Sequence, residues 1–91
     1  MIRNYLEPAL RERFPERSFK FLKDNDPFAT LETPWPPLGR LEISDDDDEV
    51  TVYLTEVAHG HFGCYDDNLS LDQKERRIAQ DVVDFLSALF R

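Results

Sequence analysis

Residues 40–55 read RLEISDDDDEVTVYLT, and this run carries the clearest structural signal in the chain. On both sides of its acidic centre, aliphatic side chains alternate with polar ones. The alternating aliphatic residues are Leu41, Ile43, Val50, Val52 and Leu54. A period of two is typical of a strand that buries one face. The run therefore predicts an antiparallel hairpin with Asp45–Asp48 in the turn and one aliphatic, buried face.

The C-terminal segment predicts an amphipathic helix that begins after Ser70. Ser70 is a preferred N-cap residue, and Gln73 stands three positions later, which is the pattern of a capping box. Apolar residues then recur at helical spacing and would cover one face of the helix. They are Ile78, Ala79, Val82, Val83, Phe85, Leu86, Leu89 and Phe90.

A second helix is predicted near the N-terminus, over roughly residues 3–14, because apolar residues form one stripe from Ile2 to Phe14. Pro8 lies within this helix. With Asn4 as the cap, Pro8 is the first position whose missing N–H removes a helical hydrogen bond, so we expect a bend there.

The remaining segments complete an α+β domain that spans residues 1–91. Residues 18–23 alternate and predict a first strand, and residues 61–65 predict a last one. Residues 28–38 are left unassigned, except that residues 34–37 (PWPP) favour an extended connector. We expect two layers, a three- or four-stranded antiparallel sheet with the N- and C-terminal helices on its aliphatic face, in the order α-β-β-β-(β)-α.

The net charge of −8 is concentrated in the middle of the chain. Residues 24–73 carry thirteen acidic side chains and one basic one, whereas residues 1–23 and 74–91 are mildly basic. A negative field of this kind repels nucleic-acid phosphates and anionic lipids, and it attracts basic proteins. We therefore expect a basic protein partner, no nucleic-acid partner and no membrane partner.

The cysteine content bears on the compartment. Cys64 is the only cysteine, so an intramolecular disulfide is excluded. The sequence also lacks an apolar run of membrane-spanning length and an apolar N-terminal leader. We expect a bacterial protein of the reducing cytoplasm.

Both histidines and the cysteine lie in residues 59–67, which read HGHFGCYDD. Continuing the strand alternation past Leu54 would bury Glu56, so we expect a bulge or register change near Glu56–Gly60. His61 and Cys64 would then point to opposite faces of the last strand. Because the sequence has no second Cys or His cluster to complete a tetrahedral site, we predict no metal ligand, no cofactor and no catalytic residue.

The sheet face opposite the helices is the remaining candidate site. Its aromatic and acidic side chains, with the acidic turn and a tryptophan anchor, would form a binding face for a protein. The candidate residues are Trp35, Glu42, Asp45, Asp46, Asp47, Asp48, Tyr53, His59, His61 and Tyr65. The simpler interpretation is a solvated sheet face, a solvated turn and a tryptophan that packs on its own core.

The sequence thus favours a small acidic, non-catalytic interaction domain that binds a basic protein. The alternative is a small metal- or thiol-dependent enzyme or sensor centred on His59–Asp67. A homodimer, built by pairing edge strands or packing exposed helix surface, is a third possibility.

Overall fold

The computed structural model of the chain describes residues 2–23, 26–32, 39–45, 49–54 and 58–90. Within these ranges the chain forms two helices and five strands. They are α1 (Arg3–Arg13), β1 (Lys20–Phe21), β2 (Ala29–Glu32), β3 (Arg40–Asp45), β4 (Glu49–Leu54), β5 (Ala58–Gly63) and α2 (Leu71–Leu89).

The strands form one antiparallel sheet in the order β1-β2-β3-β4-β5, and a helix stands at each end of the chain. The predicted α+β class and the positions of both helices are confirmed. The sheet has one strand more than the upper prediction of four. The additional strand is β2, which lies in the segment left unassigned at residues 28–38.

The predicted hairpin is formed by β3 and β4, with Ile43 opposite Val52 in the ladder. On the other side of β4, Val50 lies opposite Phe62 of β5. Because opposite residues share a face, the aliphatic side chains of the three strands lie on the same side of the sheet. This is the face that both helices cover.

The last strand is placed differently from the prediction. The sequence predicts a last strand over residues 61–65, after a bulge or register change near Glu56–Gly60. In the structure β5 runs from Ala58 to Gly63 and pairs antiparallel with β4, which ends at Leu54. Gly60 lies opposite Val52 inside a regular ladder, and a bulge at Gly60 is therefore wrong. Residues 55–57 lie outside the described residues.

One hydrophobic core joins the helices to the sheet. It contains buried apolar side chains from α1, α2 and the strands β2, β3 and β4, and each large one that is fully buried contributes about 1.5–3 kcal/mol relative to an exposed position. Its fully buried members include Ile2, Leu6, Leu10, Ala29, Leu41, Ile43, Val50, Val82 and Leu86. Among the described residues, the core therefore lies between the two helices and one side of the sheet.

Helix α2 begins as predicted. The hydroxyl oxygen of Ser70 accepts a hydrogen bond from the backbone N–H of Gln73 at 3.2 Å, and the Gln73 side chain accepts one from the Ser70 N–H at 2.9 Å. The capping box is thus confirmed. Among the described residues, neither helix is both long and apolar enough to cross a bilayer.

Helix α1 covers nearly the predicted residues 3–14, but its N-cap lies two residues earlier than predicted. Its N-cap residue is Ile2, which provides no side-chain cap, so the expectation of Asn4 as the cap is wrong. Pro8 consequently lies well inside the helix, where it cannot donate to the carbonyl of Asn4. The start of α1 therefore needs a hydrogen-bond acceptor from elsewhere in the chain.

Candidate functional site

The sheet surface opposite the helices is the candidate site, and we call the part formed by β3, β4 and β5 the open face. The ladder places its side chains in two rows. The first row is Glu42, Tyr53 and His59, and the second is Ser44, Thr51 and His61. The observed register thus places Glu42, Tyr53, His59 and His61, all of them predicted members of the binding face, on one side of the sheet.

Three rings form a continuous cluster on the open face. The centroids of Tyr53 and His59 lie 5.6 Å apart, and those of His59 and His61 lie 5.1 Å apart in an edge-on arrangement. Both histidines are exposed, and Tyr53 retains 38% of its accessible surface. Aromatic rings that combine apolar area with polar atoms in this way are the side chains favoured at protein interfaces.

Thr51 contacts one of these rings from the neighbouring strand, where it is the residue paired with His61. Its side chain is almost fully buried at 1% exposure, and its Oγ1 lies 2.9 Å from Nδ1 of His61. The contact holds the imidazole in one orientation and directs its other nitrogen, Nε2, away from Thr51. His61 is therefore a positioned side chain on an exposed surface.

Tyr65 extends the open face beyond the end of β5. Its side chain is 72% exposed, and its hydroxyl group donates a hydrogen bond to Oε1 of Glu49. A Cβ atom added at Gly63 would lie 2.9 Å from that hydroxyl oxygen, so the Tyr65 ring covers Gly63 closely. The absence of a side chain at Gly63 allows the ring to rest there.

The charge on the open face is uneven. The guanidinium of Arg40 lies 2.6 Å from the carboxylate of Glu42, which neutralises much of the charge at that end. Glu49, at the other end, accepts only a neutral hydroxyl among its described contacts. Negative charge on the described open face is therefore concentrated near Glu49 and Tyr65.

Asp45 does not belong to the candidate site, and its assignment to an acidic turn is wrong. It is the last residue of β3, on the core side of the sheet, and its side chain is 0% exposed. Its Oδ2 accepts hydrogen bonds from the backbone N–H of Arg3 at 3.1 Å and from Nε of Arg3 at 3.4 Å. Asp45 thus supplies the acceptor that the start of α1 lacks locally.

Asp26 joins the same network. Its Oδ1 lies 2.9 Å from a guanidinium nitrogen of Arg3 and accepts a hydrogen bond from the Asp45 N–H at 3.3 Å. The Arg3 guanidinium also lies 5.0 Å from the centroid of the Phe28 ring. These contacts bind α1 to the far end of β3, and sequence reasoning missed them because no local pattern links positions 3, 26 and 45.

Four of the sequence-predicted site residues lie outside the described residues. They are Trp35, Asp46, Asp47 and Asp48. Their places in a binding face remain predictions.

Cys64 lies on the other side of the sheet from the two histidines. It is half-buried and packs against the hydrophobic core, as does Phe62. The predicted separation of His61 from Cys64 agrees with the register. The described residues contain no group of three or more His, Cys, Asp or Glu side chains arranged to hold a metal ion.

A groove of about 460 Å³ between α1 and the β1 segment was also not predicted. It is lined by the basic residues Arg3, Arg11 and Lys23 and the rings of Phe21 and Phe28. Arg11 stacks 4.3 Å from the Phe21 centroid, and Arg3 is held by Asp26 and Asp45. Two of the three cations are thus already engaged within the fold.

Comparisons of this chain with protein-family models, with curated proteins and with solved structures gave no match. The functional argument therefore rests on the open face itself.

Proposed function

We propose that this protein is a small, non-catalytic interaction domain that binds a basic protein partner through the open face and the adjoining acidic residues 46–48. The observation that carries the proposal is the one-sided packing. Both helices cover the aliphatic side of the sheet, and the exposed rings of Tyr53, His59, His61 and Tyr65 share the other side or its margin.

The chemistry of the open face supports a protein partner over a small polar substrate. The face is a sheet surface, and its exposed side chains are aromatic rings of the kind that act as interface anchors. Three described acidic side chains near it are engaged locally: Glu42 with Arg40, Glu49 with the hydroxyl group of Tyr65, and Asp66 with the backbone N–H of Asn68. Paired carboxylates free for acid–base chemistry are not among these described residues.

Charge supports a basic partner. The segment from residue 24 to residue 73, which contains the open face, carries a net charge of −12. Lys and Arg side chains of a partner could contact both the carboxylates and the faces of the exposed rings. The single cysteine, half-buried against the core, fits a reducing bacterial cytoplasm, which we propose as the compartment.

The thiol-dependent alternative has no support from the geometry. A cysteine nucleophile needs a histidine within hydrogen-bonding reach, and Cys64 lies on the opposite side of the sheet from His59 and His61. For the metal-dependent alternative, the geometry does bring two possible ligands together, because His59 and His61 lie on the same face of β5.

The test uses the immobilised chain to capture a protein from a lysate of the source cells, followed by Kd measurements with the purified partner. Tyr53→Ala should weaken binding about 30-fold, because truncating a central aromatic anchor costs about 2 kcal/mol. Leu71→Ala is the matched control, since Leu71 is 68% exposed on the helical side. It should leave Kd within about twofold.

Two results would contradict the proposal. One is a partner that is acidic. The other is a Leu71→Ala variant that loses as much affinity as Tyr53→Ala, which would place the interface on the helices.

A further inference from the structure

His59 and His61 stand two residues apart in β5, and their side chains project from the same face of the sheet. Their ring centroids lie 5.1 Å apart, and both rings are exposed to solvent. Two imidazoles at this spacing can each direct one nitrogen to a common point above the strand. Imidazole nitrogen is the commonest protein ligand for late first-row metal ions.

The surroundings of His61 match those of a metal ligand. In metal sites, the second ring nitrogen of a ligating histidine is held by a hydrogen bond, which fixes the tautomer and the ring orientation. Oγ1 of the nearly buried Thr51 lies 2.9 Å from Nδ1 of His61 and can perform this function. Nε2 is then the nitrogen available for a metal.

We propose that His59 and His61 form a two-histidine chelate for a divalent late first-row metal ion, with Cu²⁺ and Ni²⁺ preferred over Zn²⁺. Zinc favours four tetrahedral protein ligands, and the described residues offer no third ligand at this position. Cu²⁺ and Ni²⁺ accept tetragonal nitrogen and oxygen sets, in which water completes the coordination. This proposal does not depend on the interaction function and can fail or succeed separately from it.

The site is tested by titrating tag-free protein with Cu²⁺ or Ni²⁺ in isothermal calorimetry. We expect one metal ion per chain. His59→Ala and His61→Ala should each weaken binding at least about tenfold, because removing either ligand abolishes the intramolecular second contact. Cys64→Ser is the control and should bind as the unmodified protein does, since the thiol lies on the core side of the sheet.

Electron paramagnetic resonance of the Cu²⁺-loaded protein separates ligation from a structural effect. The spectrum should show coupling to two imidazole nitrogens in the unmodified protein and to one in each histidine variant. Thr51→Val should keep both nitrogens and weaken binding about tenfold, which is typical when a ligand loses its supporting hydrogen bond.

Three outcomes would overturn the proposal. Either histidine variant could bind with unchanged affinity, Cys64→Ser could abolish binding, or the Cu²⁺ spectrum of the unmodified protein could show a single nitrogen ligand. Folding of every variant is verified by circular dichroism, so a lost site is distinguished from a lost fold.

Discussion

Replacing Asp45 should destabilise the protein strongly, although the residue lies in a run of acidic side chains that otherwise suggests a solvated turn. The Asp45 carboxylate is fully buried and accepts hydrogen bonds from the backbone N–H and Nε of Arg3. Asp45→Ala removes the oxygen, Oδ2, that accepts both hydrogen bonds, and it leaves the first N–H of α1 without this acceptor.

The size of the effect follows from these contacts. A hydrogen bond to a charged group contributes about 1.5–3 kcal/mol, and a carboxylate at a helix N-terminus adds about 0.3–1 kcal/mol. Arg3 keeps its contact with Asp26 and is only partly buried, with 16% of its side chain exposed, which lowers the cost. We expect Asp45→Ala to reduce the free energy of unfolding by about 2–4 kcal/mol.

Asp45→Asn removes the negative charge of the side chain but keeps its size and shape, so it tests the contribution of the charge alone. It retains one oxygen acceptor and should cost about 1–2 kcal/mol. Asp81→Asn is the matched control, because Asp81 is exposed on α2, and it should change the free energy by less than about 0.5 kcal/mol.

The assay is urea unfolding at 25 °C followed by circular dichroism, with thermal melts as a second measure. A loss of 2–4 kcal/mol corresponds to a drop in Tm of roughly 10–25 °C for a domain of this size. The reasoning is refuted if Asp45→Ala and Asp81→Asn unfold at the same urea concentration, since Asp45 would then be an ordinary solvated carboxylate.

Three further predictions concern local backbone features. Ser70→Ala should lower the free energy of unfolding by about 1 kcal/mol in urea titrations, because α2 loses half of its capping box; no change would show that the box is redundant. Pro8→Ala should raise it by roughly 1–2 kcal/mol, because the exposed residue at position 8 regains an N–H that can donate to Asn4, and a loss of stability would contradict this. Gly63→Ala should leave stability within about 0.5 kcal/mol but displace the Tyr65 ring, seen as changed chemical shifts of the Tyr65 ring protons. Unchanged shifts of these protons would contradict the close packing.

The parts of the fold that sequence predicts well are those with a local cause. Alternation around Ile43 and Val52 predicts the hairpin, and the Ser70 and Gln73 pair predicts the start of α2. In each case the residues that determine the structure are close in sequence or recur at a regular spacing. The pattern is therefore visible in the sequence without knowledge of the fold.

The parts that sequence does not predict depend on distant partners. Nothing near Asp45 indicates that it caps a helix 42 residues earlier, and in sequence it is indistinguishable from its acidic neighbours. β2 is only four residues long, and its role as a strand depends on pairing with β3.

The spacing of the His59 and His61 rings is another feature that sequence alone does not predict. The sequence predicts that His59 and His61 both belong to the binding face, and the regular ladder through Gly60 places these alternate residues together. The 5.1 Å separation of their rings is not predicted by alternation, because it depends on how each side chain packs against the neighbouring strand.

The most direct test of the interaction function compares two variants that each lose three negative charges. One loses them in the acidic segment 46–48 and the other elsewhere, and the affinity of each for the captured partner is measured. Asp46→Asn, Asp47→Asn and Asp48→Asn are combined in one variant. Glu12→Gln, Glu16→Gln and Asp81→Asn, all exposed away from the open face, are combined in another. Kd is measured for both at two salt concentrations.

We predict that the first triple variant binds about tenfold or more weakly at low salt and that this difference shrinks as salt is added. The second should bind as the unmodified protein does, within about threefold. Equal losses in the two variants, or an affinity that does not change with salt, would contradict a basic partner docked beside the open face.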